Sequence, residues 1–128
     1  MANAPAGLLY SKEHEWLKLD GDVATVGITD YAQGSLGDIV YVELPRLGAP
    51  LTQSSSIGVV ESVKAVSDIY TPVGGEVVEI NAAIDGDPAT VNRDPYGEGW
   101  FFKIKLNDVN ETKELLSPEQ YEQLIKEA

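Results

Sequence analysis

The stretch GVVESVKAVSDIYTPVGGEVVEI, which runs from Gly58 to Ile80, indicates how this chain folds. Two arms rich in valine and isoleucine, Ile57 to Val63 and Ala65 to Tyr70, flank the single lysine Lys64. Because β-branched residues favour strands, the stretch predicts a hairpin with Lys64 at its tip. The segment TPVGG is a turn signal, and EVVEIN after it predicts a further strand.

The sequence on both sides of this hairpin is also mostly β in character. Glu15 to Ile28 predicts a hairpin that turns at Asp20 and Gly21, and Asp38 to Leu44 predicts a strand. Trp100 to Leu106 alternates cleanly between two faces. We expect one face to hold Trp100, Phe102, Ile104 and Leu106, and the other Phe101, Lys103 and Lys105.

Helices are predicted at two places only. Thr29 to Gly37 opens with a capping residue and ends in glycine, as a short helix would. Near the C-terminus, Ser117 precedes Pro118 and Gln120 in the pattern of a capping box. The apolar stripe of that second helix is Tyr121, Leu124 and Ile125. The segment Asn81 to Gly99 is rich in Gly, Pro, Asn and Asp and predicts mostly loop.

A faint internal repeat relates two of the predicted strands. GDIVYVEL, at Gly37 to Leu44, aligns with GEVVEIN, at Gly75 to Asn81. Lys64 lies between the two copies. The repeat suggests two similar half-sheets packed face to face.

Composition narrows the classes of function. The chain has 128 residues, 43% apolar and 23% charged, which suits one globular domain. A net charge of −12 argues against nucleic acid and anionic membranes as partners. There is no cysteine, and no run approaches the length of a membrane span. The N-terminal MANAPAGLLYSKEHEW lacks targeting features, so we expect a cytoplasmic protein, or a mitochondrial matrix protein if a eukaryotic form has been trimmed.

The remaining polar motifs do not predict catalysis or metal binding. His14 is the only histidine, and without cysteine or a second histidine it does not make a zinc site. We interpret it as a satisfied or surface histidine. The two Asp-Gly-Asp motifs, at Asp20 to Asp22 and Asp85 to Asp87, are explained by turns.

Lys64 is the residue that invites a functional interpretation. It is the only basic residue between Arg46 and Arg93, an interval that holds six acidic residues. One interpretation is a solvated turn lysine that protects an exposed strand edge. The other is an attachment point for a cofactor arm, because the small neighbours Val63 and Ala65 leave the amine approachable and a primary amine can be acylated.

The motifs around Lys64 resemble those of the glycine cleavage system H protein family, which carries lipoate. The resemblance runs nearly the full length and rests on the blocks EHEW, GITDYAQ, LGDIVYVELP, ESVKA, SDIYTPVGGEVVEIN and NRDPYGEGWFFKIK. Lipoyl domains in general carry a glycine before and after the lysine at the spacing of Gly48 and Gly75. The resemblance implies a mostly β fold, a flattened β-barrel/sandwich hybrid with short helices and a C-terminal helix. It also implies a single lipoyl-carrier domain over residues 1–128, with a helical extension over about 108–127.

The resemblance further implies a carrier that is not itself a catalyst. Lipoate in amide linkage on Lys64 would take an aminomethyl group from the pyridoxal-phosphate enzyme glycine decarboxylase. It would deliver that group to the tetrahydrofolate-dependent aminomethyltransferase and be reoxidised by dihydrolipoamide dehydrogenase. A lipoylating enzyme would be a further partner, and Glu61, three residues before the lysine, is a candidate for its recognition. In the loaded state, Glu15 and Asp68 are candidates to contact the ammonium of the arm within one cleft.

Several alternatives stay open at this point. Biotin carriers resemble MKM around their lysine, and 2-oxoacid dehydrogenase lipoyl domains resemble DKA, whereas Val63 and Ala65 flank the lysine here. A lipoylated protein could instead relay lipoyl groups to other acceptors. A different class is an unmodified structural β-domain in which Lys64 is only a turn residue.

Overall fold

The structure, a computed structural model, describes residues 5–126 and is mostly β. The described elements begin with β1 (Leu9–Tyr10), β2 (Glu15–Asp20), β3 (Val23–Ile28), α1 (Asp30–Leu36), β4 (Ile39–Glu43), β5 (Pro50–Leu51) and β6 (Ser56–Ser62). They continue with β7 (Val66–Tyr70), β8 (Gly75–Ile80), α2 (Ala82–Gly86), α3 (Thr90–Arg93), β9 (Phe102–Leu106), a 3₁₀ helix (Val109–Glu114) and α4 (Pro118–Lys126).

The strands form two antiparallel sheets. The larger has the order β1-β2-β3-β9-β8-β5, and the smaller has the order β4-β6-β7. The two copies of the internal repeat therefore lie in different sheets, as β4 and β8. Both predicted hairpins are present, with Asp20 paired to Val23 in one and Glu61 paired to Val66 in the other. The predicted fold class is confirmed.

The inner faces of the two sheets share one apolar core. The larger sheet contributes buried side chains such as Val26 and Ile104, and the smaller sheet contributes Val60 and Ile69. Each such side chain stabilises the fold by about 1.5–3 kcal/mol when fully buried. Val60 and Ile69 lie on β6 and β7, so the core holds the two arms of the hairpin and leaves its tip outside.

The segment predicted to be mostly loop contains two short helices instead. α2 and α3 lie within Asn81 to Gly99, and each buries one side chain, Ile84 and Val91 respectively. Asn81 caps α2 by accepting a hydrogen bond from Ala83 N–H. Helices of five and four residues are too short to show apolar periodicity, which is why the sequence pattern missed them.

The predicted alternation from Trp100 to Leu106 needs one correction. Phe102, Ile104 and Leu106 are buried as expected, but Phe101 is buried as well. Phe101 precedes β9, so the strand's alternation of faces does not apply to it.

The C-terminal helix has the predicted capping box. Ser117 Oγ accepts a hydrogen bond from Gln120 N–H (3.2 Å), and Gln120 Oε1 accepts one from Ser117 N–H (2.9 Å). Tyr121 is buried and its ring stacks on that of Tyr10, 4.7 Å between centroids. The 3₁₀ helix and α4 occupy most of the segment predicted as a helical extension, whose last residue, 127, lies outside the described residues.

Candidate functional site

Lys64 lies exposed at the tip of the hairpin between β6 and β7. The tip has no glycine, asparagine or aspartate, and Ser62 supplies the turn chemistry in their place. Its hydroxyl accepts hydrogen bonds from the N–H groups of Lys64 (3.3 Å) and Ala65 (3.1 Å), while its own N–H donates to the Ala65 carbonyl (2.8 Å). The lysine is thus carried on a closed turn. Sequence reasoning missed Ser62, although serine before a reversal is a known turn signal.

The connection between α1 and β4 supports the tip from one side. The carbonyl of Asp38 accepts a hydrogen bond from Val63 N–H (3.0 Å). Gly37 has a φ of 81°, and a Cβ built on it would lie 3.5 Å from Lys64 Cε. The aliphatic stem of the lysine therefore runs over this glycine.

The amine of Lys64 has no carboxylate partner within the described range. The salt bridges there join Arg93 to Asp87 and Lys103 to Glu79. An approachable primary amine on an ordered turn is suited to acylation by an activated carboxylic acid.

Glu61 and Asp68 share the outer face of the three-stranded sheet. Glu61 pairs with Val66 and Asp68 pairs with Val59 across the β6–β7 ladder, so the two carboxylates are diagonal neighbours. Asp68 is exposed, whereas Glu61 is half-buried. Glu61 is partly shielded because β4 and β7 pair with β6 on both sides of it.

Glu15 is much less exposed than Glu61 or Asp68. It is 2% exposed, at the start of β2. One carboxyl oxygen accepts from the Ser11 hydroxyl (2.5 Å), and the other accepts from Tyr70 N–H (3.2 Å). Burial raises the pKa of this carboxyl to about 7, although the hydrogen bonds from Ser11 and Tyr70 act in the opposite direction.

A cleft of about 490 Å³ opens beside Glu15. One wall comes from the residues before β2, a second from the turn after β7, and a third from Leu115 and Leu116 after the 3₁₀ helix. Tyr70 also lines the cleft, but Asp68, two residues earlier on the same strand, does not. The structure thus brings Glu15 to a cleft with mixed polar and apolar walls and leaves Asp68 on the open face that leads towards it.

His14 is satisfied, as the sequence suggested. Its Nδ1 lies 2.8 Å from the hydroxyl of Tyr121, and its ring lies 4.9 Å from that of Tyr31. Burial lowers the pKa of this imidazole. The residues that the structure describes contain no group of three or more His, Cys, Asp or Glu side chains that could hold a metal ion. None of the helices among them is long and apolar enough to cross a membrane.

Comparison with known proteins identifies the family. Residues 8–128 match the family described as glycine cleavage H-protein. The chain is 54% identical to a glycine cleavage system H protein of Carboxydothermus hydrogenoformans, over 99% of this chain and 98% of the relative. It is 56% identical to one of Opitutus terrae, over 98% and 99%. A crystal structure of a glycine cleavage system H protein from Mycobacterium marinum superposes with a TM-score of 0.88 at 39% identity, covering 95% of this chain and 98% of that one. These matches, together with the exposed lysine hairpin of a two-sheet β fold, show that the chain belongs to the glycine cleavage H-protein family.

Proposed function

We propose that Lys64 carries lipoate in amide linkage and that this chain is the mobile carrier of the glycine cleavage system. In this role it takes an aminomethyl group from glycine decarboxylase and delivers it to the tetrahydrofolate-dependent aminomethyltransferase. Dihydrolipoamide dehydrogenase then restores the disulfide form of the arm. The observation that carries the proposal is the exposed amine of Lys64 at the tip of an ordered hairpin, in a chain of this family. Among residues 5–126 this amine has no carboxylate partner.

The residues present fit a lipoyl group. The amine of Lys64 can be acylated without displacing a salt-bridge partner, and the nearby cleft offers apolar side chains together with the carboxyl of Glu15. When attached, lipoate supplies the sulfur chemistry, which a chain without cysteine does not have of its own.

The chain's own contribution is presentation and steering. The core under Val60 and Ile69 and the Ser62 turn keep the attachment point rigid, so that only the arm has to move. The net charge of −12 supports rapid, weak docking onto basic surfaces of the partner enzymes. In this scheme no side chain of this protein acts as a catalyst. The relatives named above are bacterial proteins, which supports a location in the cytoplasm.

Replacement of Lys64 tests the proposal directly. Lys64→Arg keeps the positive charge but cannot form the amide. Incubation with a lipoate ligase, lipoate and ATP should therefore leave the intact mass of this variant unchanged. The mass of the parent protein should increase by one lipoyl group. Lys18→Arg, an exposed lysine on β2, is the matched control and should be modified like the parent. Lipoylation of the Lys64→Arg variant would refute the assignment, and absence of lipoylation in the parent would favour an unmodified β-domain.

A further inference from the structure

Asn92 lies in α3, one of the two short helices, and its side chain makes three hydrogen bonds. Its Oδ1 accepts from Ile39 N–H (2.9 Å). Its Nδ2 donates to the Gly37 carbonyl (2.9 Å) and to Oε1 of Gln33 (2.9 Å). Both amide protons and the amide oxygen are therefore used. Because Gly37 and Ile39 flank Asp38, Asn92 holds both ends of a three-residue segment, which we call the support segment.

The other side of the support segment contacts the lysine hairpin at three points. Asp38 accepts the hydrogen bond from Val63 N–H, and Ile39 pairs with Ser62 in the β4–β6 ladder. The stem of Lys64 passes over Gly37, as described above. The two residues that precede the lysine and the lysine itself thus rest on the segment that Asn92 holds.

The support segment depends on a side chain because the secondary structure around it is irregular. α1 ends at Leu36, and Gly37 turns the chain with a φ of 81° and a ψ of −156°. The β4–β6 register shifts between Ile39 and Tyr41. A segment between a helix end and a shifted register lacks a regular hydrogen-bond ladder of its own, so Asn92 supplies the bonds that a ladder would otherwise make.

We propose that Asn92 is a positioning residue for the modification of Lys64. By clamping Gly37 to Ile39, it holds the hairpin tip in one orientation, which the lipoylating enzyme recognises. The inference rests on the proposed function, since it concerns attachment of lipoate to Lys64. Asn92 itself touches neither the amine nor the arm.

Asn81 provides a matched control. It also makes three side-chain hydrogen bonds, donating to the carbonyls of Glu98 and Trp100 (2.7 Å each) and accepting from Ala83 N–H (3.2 Å). None of its partners belongs to the hairpin or to the support segment. At 7% exposure it is more buried than the half-buried Asn92, so Asn81→Asp should reduce overall stability at least as much as Asn92→Asp.

The experiment compares Asn92→Asp with Asn81→Asp on two measurements under conditions where both are folded. The first is hydrogen exchange of the Val63 amide, relative to a core amide such as that of Phe102. We expect Asn92→Asp to speed Val63 exchange about tenfold, since loss of one or two hydrogen bonds shifts a local equilibrium by roughly that factor. Asn81→Asp should leave the Val63 rate within about twofold of the parent.

The second measurement is steady-state lipoylation by a lipoate ligase with the apo-protein as varied substrate. Asn92→Asp should raise KM for the protein about three- to tenfold with little change in kcat, because the tip is less often in the recognised orientation. Asn92→Ala removes all three bonds without adding a charge and should show an effect at least as large. Equal effects of the Asn92 and Asn81 variants on either measurement, or faster Val63 exchange with unchanged lipoylation, would overturn the inference. If the parent itself is not lipoylated, the proposed function fails and the Val63 rates alone decide whether Asn92 clamps the tip.

Discussion

Glu15 is a carboxyl group that folding removes almost completely from water. Its pKa rises from the usual 4.5 to about 7, so the folded protein binds a proton more tightly than the unfolded chain does. Between these two values the folded state keeps a proton that the unfolded state has released. The free energy of unfolding therefore falls as pH rises from 4.5 to 7, and above that range the loss remains but does not grow further.

Replacing Glu15 with glutamine should remove this pH dependence. By linkage, a shift of this size costs the parent roughly 3 kcal/mol of stability between pH 4.5 and pH 8. Denaturant unfolding of the parent and of Glu15→Gln at a series of pH values measures this loss of stability. We expect the difference in free energy of unfolding between Glu15→Gln and the parent to move in favour of the variant as pH rises. A constant difference across this range would show that the carboxyl does not titrate there.

Glu61 is the residue that we expect the lipoylating enzyme to recognise beside Lys64. It lies three residues before Lys64 on the outer face of the small sheet, near the tip. Glu61→Ala should slow lipoylation several-fold. It should lower the free energy of unfolding by less than about 1 kcal/mol, because a partly solvated charge contributes little to folding. Asp68→Ala on the same face is the comparison. Unchanged modification kinetics for Glu61→Ala would remove Glu61 from this role.

At the scale of the element, the β6–β7 hairpin combines a buried stem with a turn closed by one hydroxyl. Val60 and Ile69 anchor the stem, and Ser62 accepts from the two N–H groups that the turn would otherwise leave to solvent. The stem sets the stability of the hairpin, and the turn sets the orientation of Lys64.

Ser62→Ala should loosen the turn while leaving the stem intact. We expect faster hydrogen exchange of the Ala65 amide and slower lipoylation. The free energy of unfolding should fall by at most about 1.5 kcal/mol, the upper value for one typical hydrogen bond. Ser67→Ala is the matched control, since the Ser67 hydroxyl is exposed and contacts only the Asp68 carbonyl, at 3.4 Å. If both serine variants are modified at the parent's rate, Ser62 does not present the lysine.

At the scale of the whole molecule, β7 leads from the lysine to the Glu15 cleft. Strands rise about 3.3 Å per residue, so Asp68 lies about 13 Å and Tyr70 about 20 Å along the chain from Lys64. A lysyl side chain with a lipoyl chain reaches about 10–15 Å. Asp68 is therefore within reach of an arm that folds back along this face. The mouth of the cleft at Tyr70 lies beyond that reach by this estimate, which is an upper bound because Lys64 and Ala65 belong to the turn and not to β7.

This geometry predicts how the loaded arm is protected. Glu15→Gln and Asp68→Asn should each hasten loss of the aminomethyl group from loaded protein without the aminomethyltransferase. The loss should be faster by up to about tenfold, as expected for one charge-assisted hydrogen bond. Reoxidation of the unloaded dithiol should stay near normal in both. If both variants retain the group as long as the parent does, the carboxylates do not hold it, and protection must come from burial alone.

The sequence by itself predicted most of the elements and singled out Lys64 as the candidate attachment point. Local signals were sufficient for the two hairpins, for the Ser117 capping box and for the single basic residue in an acidic stretch, because each depends on residues close together in the chain. The division into two sheets was also visible, since the repeated strands carry the same apolar pattern. All of these features can be seen in short segments of the sequence, without knowledge of which distant segments come together.

Only the tertiary structure decided the environments of the functional side chains. Local patterns do not show that Glu15 is buried, and one of its hydrogen-bond donors, Tyr70 N–H, is distant in sequence. The support of the lysine by Asn92 and Asp38 joins α3, the start of β4 and the hairpin, and no local pattern encodes that meeting. Hydrogen bonds between distant segments form only once the core has brought those segments together, so the sequence could name the lysine but not the residues that hold it in place.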